Sequence, residues 1–214
     1  MKRIFGLHKD HIKDFLSEIS LKYKDYRHFL DIGCGDGTLT ILFDNFGRIV
    51  CGVDCRNCLS NAAKDRISFK QEDFLRTKLP YENNFFDMAF SFDVIEHLPD
   101  PNIMLGQVRR VLKKEGVFII STPNRFRLLG FPLVLFGLRK FPYYPDNRVS
   151  ISYDCYSAHI TEYTIAGLRR LMENNGFKIV KIHKLFYGPT GKLGLRSLFS
   201  LPFFHNIVLE CVPV

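Results

Sequence analysis

Leu30-Asp31-Ile32-Gly33-Cys34-Gly35-Asp36-Gly37-Thr38 is the stretch that decides the fold. The apolar run Phe29 to Ile32 ends in three alternate glycines, and a segment of helical character begins at Thr38. Glycine turns tightly and admits a ligand to backbone contact. Strand, glycine loop and helix together are a nucleotide-site design. The run from Arg48 to Val53 ends in a second acid, Asp54. A carboxylate there can accept both hydroxyls of a ribose. No Gly-Lys-Ser/Thr follows the loop, so it is not a P-loop. The spacing Gly33-x-Gly35-x-Gly37 is one residue too tight for the dinucleotide fingerprint G-x-G-x-x-G, and Asp31 would set negative charge beside a pyrophosphate. A carboxylate suits a ligand with a cationic end instead.

Further segments follow in a fixed order. They are Gly52-Val53-Asp54, then Gln71-Glu72-Asp73-Phe74, then the run Phe86 to Leu98 containing Ser91-Phe92-Asp93-Val94-Ile95-Glu96-His97. Val108 to Lys113 and Gly116 to Asn124 come next, and then His159-Ile160-Thr161-Glu162-Tyr163-Thr164 and Gly176-Phe177. The ordered set, from about residue 25 to 185, resembles the class I S-adenosylmethionine-dependent methyltransferases. It is similar above all to the type 11-like family that includes ubiquinone-pathway O-methyltransferases. That resemblance implies an α/β fold. Its Rossmann-like, doubly wound, seven-stranded sheet has strand order 3-2-1-4-5-7-6, with the seventh strand antiparallel. It also implies S-adenosylmethionine as cofactor and S-adenosylhomocysteine as product.

Composition agrees with one domain of ordinary size, residues 1–214. Hydrophobic residues make up 46%, enough for a sheet covered on both faces, and with 21 Phe and no Trp the aromatic packing must be mostly phenylalanine. No apolar stretch reaches the ~18 residues of a spanning helix. The N-terminal apolar region is too short for a signal peptide, so a cytoplasmic location is expected. The net charge of +8 admits an anionic partner. Its basic residues are scattered, however, and nucleic acid is not expected. Six cysteines, at 34, 51, 55, 58, 155 and 211, are read as free thiols.

Periodicity predicts strands over 28–32, 48–53, 66–70, 86–91, 116–121, 177–184 and 206–212. Helices are expected over 10–24, 38–45, 56–64, 101–113 and 164–175. Alternation of the two implies a parallel sheet with right-handed crossovers. Ligands then sit beyond the carboxyl ends of the first and fourth strands. Residues 124–158 are extra to a minimal domain. There Leu128 to Leu138 is apolar between Arg125, Arg127, Arg139 and Lys140, and Leu193 to Phe204 is of similar character. These stretches are expected to cap the acceptor site. Basic flanks about an apolar middle also suit peripheral contact with a membrane surface.

The resemblance assigns Asp31, Gly33, Gly35, Asp54, Cys55, Asp73, Phe74, Ser91 and Phe92 to the cofactor. Asp54 would hold the ribose, and Asp73 with Phe74 would meet the adenine; the alternative for either Glu72 or Asp73 is a surface acid. The backbone of Ser91 and Phe92 would border the methionine portion. Gly37 is expected to bring helix and strand together. Asp93, Glu96 and His97 form D-x-x-E-H, which on a helix would share one face. The matching positions in ubiquinone-pathway enzymes resemble a divalent-metal site. Hydrogen bonding of Glu96 and His97 within the loop is preferred here, and no metal is assigned. His97 and His159 are the candidate catalytic bases, since an imidazole suits a hydroxyl acceptor near neutral pH. Cys51, Cys55 and Cys58 have the spacing of a radical-enzyme iron–sulfur cluster, but Cys51 falls inside a strand, and the cluster is not expected.

The absence of Asn-Pro-Pro-Tyr after the fourth strand argues against amino-methylation of bases. The expected reaction is O-methylation of a small molecule, a lipid or a glycan, and a hydrophobic acceptor would suit the apolar cap. A catalytically silent cofactor-binding subunit and an RNA methyltransferase remain the alternatives.

Overall fold

The computed structural model describes residues 2–126, 159–185 and 205–214, with side chains from Ile12 onward. The expected cap beyond Phe126 and the stretch 193–204 lie outside the described residues. Seven strands form one sheet: β1 His28–Ile32, β2 Ile49–Asp54, β3 Ser68–Gln71, β4 Phe86–Phe92, β5 Leu112–Pro123, β6 Phe177–Leu185 and β7 Asn206–Pro213. Their order is β3-β2-β1-β4-β5-β7-β6. The pairings among β1 to β5 are parallel, whereas β7 runs antiparallel to both β5 and β6. The helices are α1 Lys2–Lys22, α2 Asn61–Lys64, α3 Pro101–Val111 and α4 Ile165–Asn174.

Side chains alternate across a strand, so a sheet covered on both faces needs apolar residues at successive positions. In β1, Leu30 and Ile32 join Ala89 of β4 in a core completed by Met104, Leu105 and Val108 of α3 and Leu168 and Met172 of α4. Phe29 faces the other way, with Met88 and Phe90, toward Ile12, Phe15, Leu16 and Ile19 of α1. The Phe43 ring lies 5.4 Å from Phe29 and 4.5 Å from Phe90, centroid to centroid.

Two devices fasten α1. At its end, buried Arg48 donates to the carbonyls of Ser20 and Tyr23 and stacks on Phe29 and Phe46. Further along the sheet, Glu210 of β7 accepts from Lys22, Tyr23 and His183. Caps start the two longer helices on this side of the chain. The Asp100 side chain accepts from Asn102 N ahead of Pro101, and Thr164 Oγ1 accepts from Gly167 N.

Three expected elements are shorter or placed otherwise. In place of a helix over 38–45 there is a single 3₁₀ turn, Thr40–Phe43. The chain then reverses at Phe46 and Gly47, both at positive φ. In place of a helix over 56–64 only Asn61–Lys64 is helical. Arg56 N donates to Asp54 Oδ1 and Ser60 N to the Asp36 carbonyl, which holds Ser60 extended and delays the helix start. β5 begins at Leu112, directly after α3, rather than at Gly116.

Candidate active site

A cleft of about 220 Å³ opens beyond the carboxyl ends of β1, β2, β3 and β4. Gly33, Asp54, Cys55, Arg56, Asp73 and Phe74 line one side, and Asp93, Val94, His97 and Leu98 the other. A more open hollow of about 1070 Å³ lies at the opposite ends of the strands, bounded by Asn83, Arg109, Arg110 and Val214. It holds none of the candidate cofactor or catalytic residues.

The glycine loop fixes Asp54. Gly35 N donates to Asp54 Oδ2 at 2.9 Å, and Arg56 N to Oδ1 at 3.0 Å. Each oxygen thus takes one backbone donor and keeps a further acceptor site. Gly35 has φ +55, and a β-carbon built there meets nothing within 4 Å, so open space adjoins the loop. At Gly33, φ +76, a β-carbon would come 2.4 Å from Val94 Cγ2. The absent side chain is what lets Val94 close over the loop. Gly37 packs against Ala63 of α2, where a β-carbon would be 2.6 Å away. This differs from the expected contact between a helix starting at Thr38 and the preceding strand.

Asp31 is buried behind the cleft wall, where Thr40 Oγ1 donates to its Oδ2 at 2.6 Å. Burial pushes its carboxyl up to about 7, the Thr40 hydrogen bond opposes this, and the Asp54 charge adds to it. Asp73 does line the cleft, and its Oδ1 accepts from Leu75 N. Glu72 accepts from Thr77 instead. Ser91 is fully buried and donates to the Ile32 carbonyl, tying β4 to β1. Neither Ser91 nor Phe92 is on the wall, where Asp93 and Val94 stand. Cys51 is buried in the core, Cys55 is on the wall and Cys58 is exposed, so the three thiols occupy different surroundings.

D-x-x-E-H does not form one helical face. Asp93 is left-handed at φ 53, and only Ile95–His97 makes a 3₁₀ turn. Ser121 Oγ and Asn206 Nδ2 both donate to Asp93 Oδ1, which turns this carboxylate toward β5 and β7. Glu96 is buried and accepts from Thr122 Oγ1, and its carbonyl accepts from Ile160 N and Thr161 N. These two bonds bring the 159–163 segment to the cleft. The His97 and His159 rings meet edge to face at 4.8 Å, with Glu162 Oε1 3.9 Å from His159 Nδ1. Glu96, His97 and His159 each bring a possible ligand atom within 4.8 Å of the others.

Thr40, Val94, Leu98 and Glu162 are site residues that the sequence reading missed. Nothing within nine residues of Asp31 marks Thr40 as its partner. The i,i+3 spacing of His159 and Glu162 was visible and is the one available signal. Close by, one junction of main-chain bonds holds the edges of the undescribed segments. Arg125 N donates to Tyr163 O, Asn124 N to His205 O, and His205 N to Leu185 O.

The sequence model of a family described as a methyltransferase domain matches residues 7–182. The chain belongs to that family, and its sheet has the strand order and the antiparallel seventh strand of the class I Rossmann-like fold. A ubiquinone biosynthesis O-methyltransferase from Coxiella burnetii is 27% identical over 184 residues, 82% of this chain and 76% of that protein. A protein of the same name from Glaesserella parasuis is 33% identical over 118 residues, 50% of each chain. The chain thus matches only about half the length of several curated relatives. The magnesium protoporphyrin IX methyltransferase of Synechocystis, with bound S-adenosylhomocysteine, has a TM-score of 0.67 at 17% identity over 100% of this chain and 86% of that one. An S-adenosylmethionine-dependent methyltransferase from Archaeoglobus fulgidus scores 0.63 at 18% identity, covering 94% of each.

The residues present fit S-adenosylmethionine. Asp54 offers two anchored oxygens to a pair of hydroxyls, and open space adjoins Gly35. The buried Asp31 carboxyl has a hydroxyl as its side-chain partner among the described residues, and would be favoured in its charged form by a nearby cation.

Proposed function

We propose that this protein transfers a methyl group from S-adenosylmethionine to a hydroxyl oxygen of a small molecule, a phenolic or quinol-type ring being the preferred acceptor. The observation that carries this reading is the meeting of the His97–His159 pair with the Asp54 end of one cleft. The names of the relatives support the oxygen acceptor.

Asp54 binds the ribose hydroxyls, Asp73 and Phe74 face the adenine, and Asp31 favours the cationic end from behind the loop. The bound cofactor supplies an electrophilic methyl whose leaving group is a neutral thioether, so no general acid is required. His97, on the wall, takes the acceptor's hydroxyl proton. His159, edge-on to His97 and near Glu162, orients that ring. Val94 and Leu98 exclude water from the cleft, and the fixed walls supply alignment.

Isotope-labelled cofactor and a panel of quinols, lipids, glycans and transfer RNA test this. Transfer to a hydroxylated ring, with His97→Gln lowering kcat at least about 100-fold and leaving cofactor affinity within twofold, is the expected result. Transfer to RNA alone, no transfer to any acceptor, or an unaltered His97→Gln rate would overturn it. A second reading rests on the Glu96, His97 and His159 donors, which could hold a divalent cation that polarises the acceptor oxygen. Loss of activity on chelation, restored by added metal, would favour it over the proton-accepting role.

A further inference from the structure

Cys55 and Cys58 lie three apart in the segment joining β2 to α2, where Asn57 to Ser60 form neither helix nor strand. Cys58 is exposed and Cys55 half-buried on the cleft wall, whereas Cys34, Cys51 and Cys211 are buried. A soluble oxidant therefore meets this pair first among the described thiols. The segment is fastened around the pair. Arg56 N donates to Asp54 Oδ1, Gln71 Nε2 to the Cys55 carbonyl, and Ser60 N to the Asp36 carbonyl. Cys55 directly follows Asp54 and shares the cleft wall with it.

We propose that Cys55 and Cys58 form a thiol–disulfide modification site that governs cofactor binding at Asp54. The proposal rests on the reading of Asp54 as the ribose carboxylate. A disulfide holds its two α-carbons within about 4.4–6.8 Å. At this spacing, the bridge closes 55–58 into a turn with Arg56 inside it. That turn redirects Arg56 N–H, one of the two backbone donors that aim the carboxylate.

The chemistry balances with a low-molecular-weight disulfide as oxidant. The Cys58 thiolate attacks one sulfur of the reagent, forming a mixed disulfide and releasing one thiol. The Cys55 thiolate then attacks the Cys58 sulfur, closing the protein disulfide and expelling the second thiol. Two protein thiols lose two electrons and two protons, and the reagent disulfide gains both. Burial, then the Asp54 charge, push the Cys55 thiol up. Cys55 is therefore suited to the second step, where a neighbouring disulfide compensates for a small thiolate fraction.

The test uses the full chain equilibrated with oxidised glutathione or with dithiothreitol. Peptide mapping should find a Cys55–Cys58 bridge, with loss of two hydrogens, only in the oxidised sample. Calorimetry with S-adenosylhomocysteine should show about tenfold weaker binding by oxidised protein, the equivalent of one lost charge-assisted hydrogen bond. Dithiothreitol should restore it, and Cys58→Ser should bind equally in both buffers. A missing bridge, equal affinity of bridged and reduced wild type, or an oxidation-sensitive Cys58→Ser would overturn the proposal. Failure of the reduced wild type to bind would instead overturn the cofactor reading, and the proposal with it.

Discussion

Asp31 and Glu210 are both carboxylates in the interior, on strands of one sheet, and their surroundings are opposite. Burial alone would push Glu210 up, yet hydrogen bonds from His183, Lys22 and Tyr23 outweigh it and hold the group down to about 2. At Asp31 burial prevails over a single hydroxyl, and the group sits at about 7. Where a buried anion serves only the fold, the chain supplies cations and donors around it. Where the chain leaves the charge to be met from outside, a ligand can do it. Glu210 fastens a helix, and Asp31 is the carboxylate proposed to favour the cationic end of the cofactor.

The sharpest way to break this comparison is Asp31→Asn. A folded pKa raised from about 3.8 to about 7 contributes stability below pH 4 that is lost as pH rises through 7. The difference in urea-unfolding free energy between wild type and Asp31→Asn should therefore shift by about 3–4 kcal/mol between pH 4 and pH 8, in favour of the variant at high pH. A bound cation should lower the Asp31 pKa. Titration of wild type with S-adenosylmethionine near pH 6.5, in buffers of different ionisation enthalpy, should thus show proton release, and Asp31→Asn should not. A pH-independent difference would remove the distinction between the two carboxylates.

Glu210→Gln tests the other side. Its depressed pKa stabilises the fold above about pH 4.5, a contribution lost as pH falls toward 2. At pH 7 the substitution should lower stability by about 2–3 kcal/mol, discounted because Lys22 is half-exposed and screened by water. S-adenosylhomocysteine affinity under native conditions should stay within twofold. A large loss of affinity with little loss of stability would mean that Glu210 also serves the site.

Asp54→Ala should weaken cofactor binding by about 1–3 kcal/mol, the cost of unpairing charged hydrogen bonds. Because the Asp54 charge helps push Asp31 up, the variant's pH profile of stability should also move to lower pH. Calorimetry showing unchanged affinity would end the ribose assignment.

The sheet was legible in the sequence because its central strands are apolar on both faces and bounded by turn residues. The short elements were not. Helices expected over 38–45 and 56–64 are cut down by bonds from elsewhere: Asp31 to Thr40, Asp54 to Arg56 and Asp36 to Ser60. The same limit applies at the site. Asp54, Asp73 and His97 could be placed at strand ends by counting. The role of Asp93 could not be read that way, because Asn206, which donates to its Oδ1, is 113 residues away. Asp31 was chosen for its charge, and nothing in the sequence indicates that it would stand behind the wall rather than on it.

One knot of main-chain bonds, among Asn124, Arg125, Tyr163, Leu185 and His205, fixes where residues 127–158 and 186–204 leave the sheet and rejoin it. Since both pairs of ends are held, the entropy of closing either stretch depends only weakly on its length, and doubling it costs about 0.6 kcal/mol. The length of either stretch can therefore change at little cost to the junction that holds its ends, and Gly33 and Asp54, on other elements, stay where they are.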